Sequence, residues 1–213
     1  MVGVEIFKLI EKLFPLNRSI TGEGLRSTLH FLKENYVPDM ELLEIPSGTK
    51  IGDWTIPDEW NLDYAYIQTL SGETIVDTKN SNLHVVNYST PVDGIFSKEE
   101  LDKHLHSLED MRDAVPYVTA YYARLWGFCI SHEQRESLKD EHYKAVIKSA
   151  LKPGALTIGE LYIPGKSRQE IFISTYVCHP SMANNELSGP CVASFLAKYL
   201  SKRRNRYSIR IVW

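Results

Sequence analysis

The stretch from Ile171 to Trp213 constrains the fold more than any other part of the chain. Ile171 to Val177 is an apolar run that ends at a histidine, and a loop of small and polar residues follows it. From about Ser188 to Ser201, Val192, Phe195, Leu196, Tyr199 and Leu200 recur at helical spacing. Tyr207 to Trp213 is apolar again. Pro190 is tolerated because it falls in the first helical turn. A strand, a crossover helix and a second strand form a βαβ unit, which requires a parallel pair joined with right-handed chirality. The class expected is therefore α/β.

Upstream, Ile6, Leu9, Ile10 and Leu13 keep helical spacing until Pro15 stops them, and Leu25, Leu29 and Leu32 mark a second helix ending before Pro38. Between Glu41 and Tyr88 the chain breaks into short extended pieces, ELLEI, DWTIP, AYI, ETIVD and LHVVNY, separated by turn residues. Ser97 and Glu100 read as a capping box for a helix carrying Leu101, Leu105 and Leu108 on one side. HYKAVI reads as a strand, and LTIGELYIP with EIFISTYV reads as a hairpin around Pro164 and Gly165. Three parts are expected: a helical part over 1–45, an inserted β-rich domain over about 46–135, and an α/β part over 136–213. The terminal strand 207–213 is expected at an unprotected sheet edge, where unpaired backbone groups invite self-association.

A chain of 213 residues can bury about 70% of the surface it exposes when unfolded, so a full hydrophobic core is available. A formal net charge of −3 gives no electrostatic case for nucleic acid or an acidic membrane. The first helix carries Glu5, Lys8, Glu11 and Lys12 among its apolar residues, unlike a signal sequence, and no apolar run approaches the roughly 20 residues of a membrane span. Three cysteines without a CxxC spacing point to reduced thiols and a cytoplasmic protein. The expected partner is a small molecule or another protein.

His179 follows the apolar strand, where ligands in open α/β sheets collect, and its imidazole is a candidate metal ligand. Asn185 and Glu186 stand six and seven residues later, ahead of a helix. Glu186 has the charge a metal-bridging carboxylate needs, and equally suits a first-turn position beside the helix dipole. Cys178 is expected to point away from His179, because neighbours in a strand face opposite sides. Arg124 and His132 are candidate substrate contacts in an aromatic stretch that otherwise reads as core. Trp54, Trp60, Tyr64 and Tyr66 would suit sugar stacking, although aromatics in a small β domain are more often core. Lys202, Arg203, Arg204 and Arg206 cluster where a helix ends and cations offset its dipole.

The fragment STYVCHPSMANNELSGP resembles the metal loop of dinuclear zinc aminopeptidases in the superfamily of the bacterial leucyl aminopeptidases. With PLNRSITGEGLRSTL, DWTIPDEWN, SNLHVVNYSTPVDG, VPYVTAYYARLWGFCISHEQ and GELYIPG, the chain is similar to aminopeptidase-like proteins of bacterial polysaccharide-biosynthesis loci, which carry a small β-rich domain inserted in the peptidase domain. The resemblance implies a zinc-aminopeptidase-like (phosphorylase/hydrolase-like) mixed sheet with helices, incomplete at its C-terminus, and two zinc ions in the complete family member. It places His179 at the first metal position, Asn185 where the superfamily has its bridging Asp, and Glu186 where the following Asn stands. Ser181 replaces an Asp that often follows the ligand His. A neutral amide offsets no metal charge, so either Glu186 shifts into the bridge or metal binds weakly.

The family's general base and later ligands would lie beyond Trp213. The expected activity is metal-activated hydrolysis of an amide in a small peptide or a modified sugar, carried by a longer protein and lacking in this chain alone. The alternative is a binding or interaction module, carbohydrate-related, that keeps the fold without catalysis.

Overall fold

The computed structural model describes residues 2–213. In chain order the elements are α1 (Val2–Leu13), α2 (Glu23–Asn35), β1 (Glu41–Pro46), β2 (Lys50–Ile51), β3 (Trp54–Thr55), β4 (Glu59–Thr69), β5 (Thr74–Asp77), β6 (Val92–Ser97), α3 (Lys98–Asp102), β7 (Leu105–His106), β8 (Phe128–Cys129), α4 (His132–Glu136), β9 (His142–Lys152), β10 (Ala155–Ile163), β11 (Ser167–Ser174), α5 (Ser188–Leu200) and β12 (Tyr207–Val212). They form two compact units, Met1–Glu59 with Pro153–Trp213, and Trp60–Lys152. The second unit is inserted in the sequence of the first, and both its boundaries fall later than the sequence pattern placed them. The β2–β3 hairpin, closed by the bonds Gly48 N–H to Ile56 O and Ile56 N–H to Thr49 O, falls in the first unit. Strand β9 belongs to the sheet of the inserted unit.

In the first unit the sheet order is β1-β10-β12-β11, with β11 and β12 parallel and the other pairs antiparallel. The βαβ unit is present. The expected β10–β11 hairpin is not, because β12 inserts between the two strands and pairs with both. The connection Pro164–Lys166 instead passes over the start of β12, where Gly165 donates to Ser208 Oγ at 3.1 Å and Ser208 Oγ donates to Ser167 O at 3.0 Å. A Cβ at residue 165 would stand 2.2 Å from the Tyr207 carbonyl carbon, which is why glycine occupies the crossing. Strand β12 is therefore interior, and the expectation of an exposed terminal strand is corrected: the outer strands are β1 and β11.

Helices α1, α2 and α5 cover one face of this sheet. Leu9, Leu13, Leu25, Leu29, Leu32, Cys191 and Ala197 pack with Leu161, Ile163, Ile209 and Ile211 in one buried cluster. The opposite face carries exposed Tyr162 and Phe172 and a central Arg210 that bonds Glu160 and Glu170. Where α2 meets the start of β4, Arg26 presents both terminal nitrogens to Glu59, at 2.9 and 2.5 Å. Both side chains are largely buried. Glu59→Gln removes the charge from this fork, and a loss of about 1–2 kcal/mol is expected in chemical denaturation.

The inserted unit is built on a sheet of order β5-β4-β9-β6, with β7–β8 beside it as a separate parallel pair. The capping box at Ser97 and Glu100 is present, but α3 ends at Asp102, so Leu105 lies in β7 and not on the helix. The chain turns there because His104 N–H bonds Leu101 O. LHVVNY forms no strand either. It makes a 3₁₀ turn at Asn82–His84, after which His84 to Ser89 are buried and Tyr88 adopts φ of 70°. A segment buried on all sides shows the same apolar residues as a strand without its alternation.

Candidate metal centre

Past Ser174 the chain leaves strand geometry, and residues 175–182 form a loop at the carboxyl end of β11. One turn of π-helix, Ala183–Leu187, then runs directly into α5. Glu186 lies on that turn and faces inward, with its side chain fully buried. Its Oε1 accepts the backbone N–H of His179 at 2.9 Å, and its Oε2 meets His179 Nδ1 at 2.8 Å. The carboxylate thus holds its histidine by both backbone and ring. A carboxylate on one imidazole nitrogen fixes the tautomer and directs the other nitrogen to a metal.

Asn185 lies on the outside of the same turn. It is exposed, and Tyr176 Oη donates to its backbone oxygen at 3.0 Å and reaches Oδ1 at 3.3 Å. Of the two residues expected beside His179, Glu186 is engaged with it and Asn185 with Tyr176. Ser181 donates to Phe14 O at 3.1 Å, which ties the loop to the end of α1. It does so at φ of 44°, a conformation that a non-glycine residue adopts at a cost.

Two partners went unread in the sequence. Cys178 was expected on the far side of His179, yet its Sγ lies 3.1 Å from Nδ1. Alternation fails because β11 has already ended at Ser174. Arg18, between α1 and α2, is completely buried, and it donates from Nε to His179 O at 3.0 Å and from a terminal nitrogen to Leu13 O at 2.6 Å. Burial pulls its guanidinium down to about 10, against attraction from Glu186, then Cys191 and Cys178. Its signal in the sequence was the run PLNRSITGEG, which carried resemblance without a role.

Cys178, His179 and Glu186 are the one group of three metal-type donors among the described residues. They suit a metal centre only in part. A catalytic zinc takes about three protein ligands and an open position, whereas here the carboxylate is spent on the imidazole and a guanidinium stands nearby. The fit is one imidazole, pre-oriented, with a neutral amide on the adjoining surface.

The other candidates belong to the inserted unit. His132 opens α4, and its Nδ1 lies 3.1 Å from Ser107 Oγ and its Nε2 3.5 Å from Glu136. Arg124 is exposed on the loop before Trp126. Trp60 is core, donating to Ser89 O at 2.9 Å, while Tyr64 and Tyr66 lie outward with rings 6.1 Å apart and nearly parallel.

No cysteine is in a disulfide, and burial pushes the Cys129 and Cys191 thiols up to about 12. Native protein at pH 8 should react slowly with a disulfide reagent at these positions, and fast once denatured. Because the folded thiols hold their protons beyond the unfolded value of 9.0, stability should fall between pH about 9 and 12.

The sheet order, the metal-type loop at a strand end and the helices on one face define an aminopeptidase-like α/β fold. A zinc aminopeptidase from Bacillus subtilis superposes with a TM-score of 0.57 at 13% identity, covering 97% of this chain and 59% of that one. Residues 7–213 match the family described as a domain of unknown function, DUF4910, and the chain belongs to that family. A Clostridium acetobutylicum protein named as a polysaccharide biosynthesis protein with an aminopeptidase-like domain is 45% identical over 211 residues, covering 99% of this chain and 48% of that protein. A crystal structure from the same organism, described as a peptidase, matches with a TM-score of 0.96 at 45% identity, over 99% of this chain and 49% of that one. The chain thus spans about half the length of these relatives. Among the described residues no helix is long and apolar enough to cross a membrane.

Proposed function

We propose that this chain carries the first metal-ligand segment of a zinc-dependent, aminopeptidase-like hydrolase, with His179 as the ligand through Nε2. The observation that carries the reading is the double engagement of His179 by Glu186, at its backbone N–H and at Nδ1. A second observation fits it: the loop is strapped to α1 by Ser181 and Arg18 before any metal is bound. In this reading Glu186 orients the imidazole, Asn185 stands at the rim where the superfamily has its bridging carboxylate, and the remaining ligands and the general base come from the further length that relatives possess. Zinc bound there would supply a Lewis acid and an activated water for amide cleavage. The residues of this chain hold one nitrogen in place and keep its ring from rotating. The substrate is a peptide or an amide-bearing sugar, and three free thiols favour a reducing, cytoplasmic setting.

The test is metal content and turnover. This chain alone should bind less than one equivalent of zinc tightly and should not hydrolyse aminoacyl amides, whereas a full-length relative should bind zinc tightly and turn over, and lose both when its histidine matching His179 is changed to alanine. Two tight zinc equivalents with turnover in this chain would refute the division of the site.

A second reading, a carbohydrate-binding module, draws on Tyr64 and Tyr66 standing nearly parallel on the outer side of β4. Lys148 lies over the Tyr64 ring and pairs with Asp63, so the surface is polar and balanced in charge, as a neutral glycan would need. Tyr64→Ala should then abolish retention on a glycan column. Equal retention of the variant and the parent would exclude it.

A further inference from the structure

Arg18 belongs to no expected site, yet it is among the largest fully buried side chains in the protein. A guanidinium withdrawn from water is costly unless it is paired and hydrogen-bonded, so its position needs a cause. Its hydrogen bonds run in two directions. A terminal nitrogen caps the carbonyl of Leu13, in the last turn of α1, and Nε binds the carbonyl of His179. Glu186, equally buried, holds the N–H and Nδ1 of that histidine. Residue 179 is therefore gripped at its carbonyl by a cation and at its amide and ring by an anion, and the two charges attract each other across it.

The backbone that presents Arg18 is itself fixed. Gly24, in the first turn of α2, lets the chain at Asn17 approach so closely that a Cβ there would stand 1.9 Å from Asn17 O. Arg18 N–H bonds Leu16 O at 3.0 Å, completing a tight turn out of α1.

We propose that Arg18 is a positioning residue: it anchors the His179 carbonyl and holds Glu186 in register, so that the imidazole presents Nε2 outward before any metal arrives. The inference rests on the reading of His179 as a ligand, but its primary readout needs no metal. Lysine cannot replace the guanidinium fully, because it lacks the planar fork that serves several acceptors at once.

The experiment is a long-range proton–nitrogen NMR spectrum of the His179 ring at pH 8 in the metal-free chain, for the parent, Arg18→Lys and Arg18→Met. The parent should show a single tautomer with the proton on Nδ1. Arg18→Met should show a mixture, with Arg18→Lys between the two. Zinc affinity at the same pH should fall about 10-fold or more in Arg18→Met, as when other partners of a metal-bound histidine are removed. A folded Arg18→Met protein, verified by circular dichroism and a cooperative melt, with the parent's tautomer and affinity would overturn the proposal. Should Arg18→Met not fold, Arg18→Lys decides by the same spectrum, and an unchanged His179 signal overturns it. If the tautomer responds as expected but zinc that binds the parent shifts neither ring nitrogen of His179, the positioning role stands and the ligand reading falls.

Discussion

Glu186→Ala should lower the free energy of unfolding by about 3–5 kcal/mol, the range for removing one partner of a buried charge pair. The carboxylate is fully buried, receives the amide and ring of His179, and attracts a guanidinium that is also without solvent contact. Truncation removes a carboxylate that attracts the buried Arg18 and opens a hole at the turn leading into α5. Urea or guanidinium unfolding, monitored by the fluorescence of Trp213, which is buried and bonded to Pro190 O in α5, reads the loss directly. Unchanged or increased stability would mean that the carboxylate is kept against the interest of the fold and that its attraction to Arg18 does not stabilise the loop.

The second large effect is expected at Gly24. A methyl group built there meets the carbonyl oxygen of Asn17 at 1.9 Å and its carbon at 2.6 Å, so backbone must move rather than a flexible side-chain tip. Helix propensity favours alanine by up to about 1 kcal/mol at interior positions, and less in a first turn. Overpacking against backbone costs about 1–3 kcal/mol and occasionally more, so the clash wins and Gly24→Ala should lose about 2 kcal/mol. The displaced segment carries Arg18, so the variant should also loosen the loop at His179, seen as faster amide exchange at residues 178–181. A Gly24→Ala protein as stable as the parent would show that the Asn17 turn yields freely.

Local chemistry was legible where it depends on neighbouring residues. The βαβ unit, Pro15 and Pro38 as limits of the first two helices, and the Ser97–Glu100 capping box all appear as the residues imply. Strand order was not legible, because β10 and β11 are adjacent in sequence and carry hairpin patterning, while their separation by β12 depends on a later strand. LHVVNY failed for a related reason: burial on every side imitates a strand without its alternation. Type and spacing singled out His179 and Glu186, but not their contact with each other. Whether the carboxylate faces a metal or its own histidine is set by one π-helical turn that no periodicity announces. Arg18 was hidden by distance, since its partner in structure is 161 positions away.

The most direct measurement is a zinc titration of the labelled chain followed through the imidazole nitrogens of His179. The ligand role of His179 predicts that Nε2 shifts with added zinc while Nδ1 keeps its proton toward Glu186, and that Asn185→Asp tightens the response. Zinc perturbing Nδ1 first, or leaving both ring nitrogens unmoved while it binds elsewhere, would contradict it.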